Sequence, residues 1–74
     1  MLKLRNWLKK LRNEKKLTQQ DVANKMEMSL SNYNLIESGE RQKDLDLSLV
    51  VKLADILDVS VNYIIEEEEK LKVR

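Results

Sequence analysis

The side chains that could carry chemistry in this sequence are hydroxyls, amides and carboxylates, because it contains no cysteine and no histidine. Disulfides, Cys or His metal ligands and catalytic triads built on either residue are therefore excluded. Asp44 and Asp46 could suggest a metal or acid–base site, but no third ligand is near in sequence and Asp46 is needed as a helix cap. We therefore expect no enzymatic activity, no cofactor and no small-molecule ligand.

Residues 29–40 hold a more informative group, in which no charge precedes Glu37. In a helix, at about 100° per residue, one side would collect the residues expected to face the core: Tyr33, Ile36 and Glu37. The opposite side would collect a hydroxyl, an amide and leucines: Ser31, Asn34 and Leu35, with Leu30 at its edge. Such a face is unusual for a surface that meets only water, although single exposed leucines are common. It is expected to contact a partner.

The elements that position this face are predicted from apolar spacing. Leu4, Trp7, Leu8 and Leu11 follow the i, i+3, i+4, i+7 pattern of one helical stripe. Similar stripes and helix-favouring composition predict an all-α domain of five helices, at about residues 3–15, 19–26, 30–37, 47–57 and 61–69. No segment alternates as a β-strand would.

Cap residues mark where these helices begin and end. Thr18 and Asp21 have the spacing of a capping box, and Gly39, the single glycine, can end the third helix in the left-handed conformation. Further N-caps are expected at three positions: Ser29, Asp46 and Ser60. In the fifth helix, Val61, Ile64 and Ile65 are expected to face inward. We divide the chain into a domain at 1–66 and a charged tail at 67–74, which could extend the fifth helix without much to pack against.

Charge is distributed unevenly along the 74 residues. Residues 1–17 carry a net charge of +6, residues 18–43 carry −1 and residues 44–74 carry −4. These charged residues could simply lie on helix faces that are exposed to solvent, or the basic end could face an anion. The longest apolar runs are interrupted within a few residues, so we expect no membrane span and a cytoplasmic protein.

Four segments in order carry a family resemblance: LTQQDVA at 17–23, MEMS at 26–29, IESG at 36–39 and LADILDVSV at 53–61. Together they resemble the Cro/cI-type helix-turn-helix family, the phage-repressor-like DNA-binding domains also called the XRE family. The resemblance covers about residues 4–66. It implies that the second helix lies across the backbone of double-stranded DNA and the third enters the major groove.

Site residues follow from this resemblance position by position. The resemblance implies base reading by residues of the third helix: Leu30, Ser31, Asn32, Asn34 and Leu35. It implies phosphate contacts from the second helix and from the loop after the third: Gln19, Gln20, Ser38, Arg41 and Lys43. It also implies a structural salt bridge between Arg12 and Glu37, which suits an inward-facing carboxylate that needs a partner.

The sequence departs from the family pattern at several positions. Lys16, Glu27 and Asp58 stand where glycine is frequent, in turns that could require positive φ. Leu45 replaces a frequent proline, and Glu40 stands where Lys or Arg is usual. The two leucines of the reading face, Leu30 and Leu35, replace hydrogen-bonding side chains, so specificity would depend on thymine methyl groups and DNA shape.

These observations predict a sequence-specific transcriptional regulator, most simply a repressor of phage or mobile-element type. It is expected to bind DNA as a homodimer. The resemblance implies that the two copies contact each other through Val61, Asn62 and Tyr63, where relatives often pair. The alternative is a protein-interaction module on the same scaffold, such as an antitoxin or an inhibitor of a regulator. In that case Leu30, Leu35 and Tyr63 would contact a protein partner.

Overall fold

The computed structural model describes residues 4–40 and 45–72, and all the regular secondary structure in these ranges is α-helical. Five helices follow in chain order: α1 Asn6–Glu14, α2 Gln19–Met26, α3 Leu30–Ser38, α4 Leu47–Leu57 and α5 Val61–Lys72. The predicted all-α, five-helix architecture is therefore confirmed. The bounds of α2 and α4 match the prediction, and α3 is one residue longer.

Side-chain caps fix the starts of the last four helices. At α2, the Asp21 N–H donates to Thr18 Oγ1 at 3.0 Å, and the Thr18 N–H donates to Asp21 Oδ2 at 2.9 Å. Three more predicted caps accept an N–H from the first turn: Ser29 from Asn32, Asp46 from Leu49 and Ser60 from Tyr63. Each cap gives an acceptor to an N–H that has none within its helix.

Left-handed residues end the helices, as the sequence predicts. The φ angle is 60° at Lys16, 60° at Glu27, 57° at Asp58 and 85° at Gly39. Three of the four are not glycine, and each such residue costs about 1 kcal/mol or more in backbone strain. Leu45, which replaces the frequent proline, is half-buried and packs against the core.

The core draws apolar side chains from all five helices. Its buried members come from α1, α2, α3, α4 and α5 in turn: Trp7, Leu8, Leu11, Val22, Ala23, Met26, Tyr33, Ile36, Val50, Leu53, Ala54, Leu57 and Ile64. The helices α2 and α3 pack chiefly on each other, α1 packs on α3, and α4 packs on both α2 and α5. As a result, α3 packs against both α1 and α2.

The predicted start of the first helix is wrong. Residue Leu4 lies outside α1 with 54% of its surface exposed, whereas Arg5 is 0% exposed. Arg5 has φ −88° and ψ 69°, which is not helical, so the helical period cannot be extended back to Leu4. A charged side chain therefore takes the inward position at this end of the domain.

The predictions for the end of α5 also need correction. Ile65 is 44% exposed, because Ile64 occupies the inward position and a neighbouring residue points about 100° away. The helix continues to Lys72 and is packed there, since Glu68 accepts hydrogen bonds from Arg5 and Trp7, and Leu71 packs on the core. The expectation that this extension has little to pack against is wrong.

None of the helices in the described ranges is long and apolar enough to cross a membrane. Within residues 4–40 and 45–72, no three acidic side chains lie together in a way that could hold a metal ion. Of the paired acids considered as a metal or acid–base site, Asp46 caps α4 through the N–H of Leu49, and Asp44 lies outside the described residues.

Candidate nucleic-acid interface

The two sides of α3 differ as the sequence predicts. Tyr33, Ile36 and Glu37 are buried against the body of the domain. The five residues predicted to read bases lie in the first two turns of α3. Three of these are exposed, Leu30, Ser31 and Asn34, and two are half-buried, Asn32 and Leu35. The outward surface of α3 therefore presents hydroxyl, amide and apolar groups, with no charge from these positions.

A buried hydrogen-bond network holds the inward side of α3. The carboxylate of Glu37 accepts two bonds from Arg12, at 2.8 Å from Nε and 3.3 Å from Nη2. It also accepts the Tyr33 hydroxyl at 2.7 Å and the Gln19 amide at 2.9 Å. The predicted pair of Arg12 and Glu37 is thus present, within a network that joins α1, α2 and α3.

The network shifts the titration of its members. Burial alone would raise the pKa of Glu37, but the bonds from Arg12, Tyr33 and Gln19 outweigh it and hold that pKa below its usual value. Burial, with the bond to Glu37, raises the pKa of Tyr33. The bond to Glu37 raises the pKa of Arg12. Both ions of the pair are therefore stabilised in their charged forms.

The residues predicted to contact phosphate differ in their surroundings. The amide of Gln19 is half-buried and donates to Glu37, so it supports α3 directly. Gln20 is exposed and donates to Asn24 at 2.9 Å. The hydroxyl of Ser38 lies 3.2 Å from the Leu35 carbonyl and 3.1 Å from Glu40. The remaining two, Arg41 and Lys43, lie outside the described residues.

An open groove of about 650 Å³ runs between α1 and the start of α2 and reaches Leu30 at the start of α3. Its lining combines cationic and uncharged polar side chains with two leucines: Lys9, Arg12, Asn13, Lys16, Leu17, Thr18, Gln19, Gln20 and Leu30. Arg12 is already paired with Glu37, so the exposed cations of the groove are Lys9 and Lys16. The N-terminus of α2, where an anion is electrostatically favoured, lies in the same wall.

Sequence reasoning identified the basic character of residues 1–17 but not these two lysines. Lys9 and Asn13 are four residues apart in α1, which places them on one face of that helix, and Lys16 follows the helix in the left-handed conformation. That spacing was the available signal. It could not show that this face meets the N-terminus of α2, because the meeting depends on how the two helices pack.

The residues predicted to form a dimer interface are not equally exposed. Val61 is half-buried and packs on the core of its own chain, whereas Asn62 and Tyr63 are exposed. The ring of Tyr63 meets Trp7 edge-on, with 6.5 Å between ring centroids and 79° between planes. Exposed Ile65, expected inside, adds an apolar group to this surface.

The geometry agrees with the comparisons to known proteins. Residues 8–64 match the model of a helix-turn-helix family. The chain belongs to the Cro/cI-type helix-turn-helix family. Membership confirms the resemblance seen in the sequence and agrees with the five-helix architecture, and the family is not one of enzymes.

One curated relative is the uncharacterized HTH-type transcriptional regulator YqaE of Bacillus subtilis (strain 168). It is 39% identical over 66 residues, which make up 89% of this chain. The same residues are 55% of the relative, so the chain spans about half of that protein's length. No solved structure shows a significant similarity to the chain.

Proposed function

We propose that this helix-turn-helix protein is a sequence-specific, non-enzymatic transcriptional regulator that inserts α3 into the major groove of DNA. The observation that carries the proposal is the uncharged outer face of α3, with exposed Leu30, Ser31 and Asn34. It lies beside a groove lined by two exposed lysines, Lys9 and Lys16. The major groove admits one helix and offers hydrogen-bonding base edges. Phosphates flank it on both sides.

Base reading would come from the first two turns of α3. Ser31 and Asn34 can donate to and accept from base edges, and Leu30 and Leu35 can pack on thymine methyl groups. Asn32 is half-buried and already has an interaction within the chain, so its contribution to reading would be smaller. Glu37 and its partners would hold this face in place from behind.

Phosphate binding would come from α1, α2 and the loop after α3. The groove lysines Lys9 and Lys16 would release counterions without reading sequence. Gln20 is exposed beside them, while Gln19 would act mainly by supporting α3, because its amide donates to Glu37. Ser38, Arg41 and Lys43 complete the proposed set. Glu40, which is exposed beside Ser38, would reduce non-specific binding there.

We further propose that the protein acts in the cytoplasm as a homodimeric repressor of phage or mobile-element type. One domain of this size contacts too little DNA for high specificity, and a twofold dimer would place two α3 helices about 34 Å apart, one turn of the duplex. Asn62 and Tyr63 would lie at the dimer contact, now with Ile65 and with less from Val61.

Selection of binding sites tests this function. The purified protein is incubated in about 0.1 M salt, which partly suppresses non-specific binding, with fragmented DNA of its source organism. The expected result is a near-palindromic site with half-sites about one helical turn apart. A folded protein that enriches no sequence would contradict the proposal.

The second candidate function is a protein-interaction module, such as an antitoxin or a regulator's inhibitor. It is favoured by exposed apolar side chains: Leu30 is 38% exposed and Tyr63 is 37% exposed. Salt separates the two functions. Binding to DNA through several phosphates weakens steeply between low and moderate salt, whereas contacts centred on Leu30, Leu35 and Tyr63 would change little.

A further inference from the structure

Arg5, which lies just before α1, connects α5 with α3. Its side chain is fully buried just before α1. Its Nη1 donates to the carbonyl of Ile36 at 2.7 Å, and its backbone N–H donates to the carbonyl of Glu37 at 2.9 Å. Its Nε and Nη2 donate to the carboxylate of Glu68, in α5, at 3.0 and 3.2 Å.

The contact with Ile36 and Glu37 caps α3 from a distant part of the chain. The last carbonyl groups of a helix have no donor within the helix, and a cation at that end interacts favourably with the helix dipole. Gly39 also donates to the Ile36 carbonyl, at 3.2 Å. Arg5 therefore fixes the C-terminal turn of the helix whose first two turns carry the proposed base-reading residues.

Glu68 holds Arg5 in this position. A buried guanidinium needs a charged partner, and the two bonds from Arg5 fix its planar group in one orientation. Trp7 Nε1 donates to the same carboxylate at 2.9 Å. We call Arg5, Trp7 and Glu68 the Arg5 cluster. Since Arg12 holds the side chain of Glu37 while Arg5 holds its main chain, both groups of this residue are fixed.

We infer that Glu68 is a positioning residue for DNA recognition, which through Arg5 sets the orientation of α3 and so the discrimination between DNA sequences. The inference rests on the proposed function. Glu68 lies in α5 and accepts from Nε and Nη2 of Arg5, whereas the Ile36 carbonyl of α3 accepts from Nη1, so its effect on α3 would be indirect. Loss of its carboxylate would remove the acceptor of two bonds from the Arg5 side chain and let the end of α3 shift.

The test compares Glu68→Ala with Glu67→Ala. Glu67 is a matched control because it lies in the same turn and carries the same charge, but its carboxylate pairs with exposed Lys70 and not with buried Arg5. Affinity is measured for the selected site and for random duplex DNA. We expect Glu68→Ala to lose about tenfold in affinity for the selected site and less than about twofold for random DNA. The control should keep both values.

Two further readouts separate positioning from loss of folding. Trp7 is the single tryptophan and donates to Glu68, so its fluorescence emission reports on the Arg5 cluster. The variant Glu68→Gln keeps a hydrogen-bond acceptor and should retain part of the discrimination between the selected site and random DNA. In the free protein, hydrogen exchange should become faster for the last turn of α3 in Glu68→Ala, while α2 stays protected. If Glu68→Ala failed to fold, the same measurements on Glu68→Gln would decide.

The outcomes distinguish this inference from the proposed function. Equal losses on the selected site and on random DNA, or unchanged discrimination with unchanged exchange in α3, would overturn the role of Glu68 alone. A wild-type protein that selects no DNA sequence would overturn the proposed function and this inference with it. Lost discrimination together with faster exchange at the end of α3 would support the inference.

Discussion

Arg12 and Glu37 form a bidentate ion pair that joins α1 to the last turn of α3. The distance is 2.8 Å between Arg12 Nε and Glu37 Oε2 and 3.3 Å between Arg12 Nη2 and Glu37 Oε1. The side chains are 8% and 7% exposed, so water could not hydrate either charge well if its partner were removed. The pair matters for function because Glu37 lies behind the proposed reading face. Its energetic role can be measured without DNA.

Replacing one partner should cost much more than replacing both. Arg12→Ala leaves a buried carboxylate without its cation, and we expect a loss of about 3 kcal/mol in the free energy of unfolding. The double variant Arg12→Met with Glu37→Leu should recover at least half of that loss, because no unpaired charge remains. Urea denaturation of the three proteins measures both values, and similar losses for the single and double variants would contradict the prediction.

Acid should destabilise the domain through Glu37. Its pKa is held below the usual value in the folded state, so the unfolded chain binds a proton first as the pH falls. This contribution to stability is fully present above the unfolded pKa of about 4.3 and is lost as the pH falls through the lower, folded pKa.

Urea midpoints between about pH 6 and pH 3 measure this dependence. The variant Glu37→Gln should show a flatter decline than the wild type. Asp21, whose pKa is lowered by its bonds with Thr18, keeps its own contribution in both proteins. Equal slopes for wild type and variant would show that Glu37 does not control the acid transition.

The sequence determines local features of this fold more clearly than distant ones. Thr18 with Asp21, and Gly39 after α3, mark helix ends because their partners lie within a few residues. Arg5 and Glu68 are 63 positions apart, and neither has a local pattern that predicts the other. For the same reason the exposed and buried sides of α3 could be predicted from its period, whereas the groove beside it depends on how α1 meets α2.

The left-handed turn between α2 and α3 offers a stabilising change. Glu27 has φ 60°, a conformation that glycine adopts without a steric penalty. We expect Glu27→Gly to raise the free energy of unfolding by about 1 kcal/mol, or the melting temperature by about 4 to 8 °C. Glu27→Ala keeps the Cβ and serves as control. Equal gains in the two variants would attribute the effect to the lost charge rather than to the backbone.

Base reading and phosphate binding should respond to different substitutions. Ser31→Ala combined with Asn34→Ala should change which sequences bind, because these exposed side chains would meet base edges. Lys16→Ala should weaken binding to all sequences alike and lower the slope of log affinity against log salt by about one. Lys52→Ala, an exposed lysine on α4, is the charge-matched control. A uniform effect of the α3 double variant on every sequence would undo the role proposed for α3.

Dimer formation should depend on the exposed face of α5. Ile65 is 44% exposed and lies on the same side of α5 as Asn62, three residues before it, so Ile65→Arg should leave the monomer folded while placing like charges against each other across a twofold contact. Sedimentation velocity should then show monomers at concentrations where the wild type is dimeric, and affinity for a palindromic site should fall while affinity for a single half-site is kept. Val51→Arg is the control, since Val51 is 50% exposed on α4. If Val51→Arg dissociated the dimer and Ile65→Arg did not, the contact would lie on α4 and not on α5.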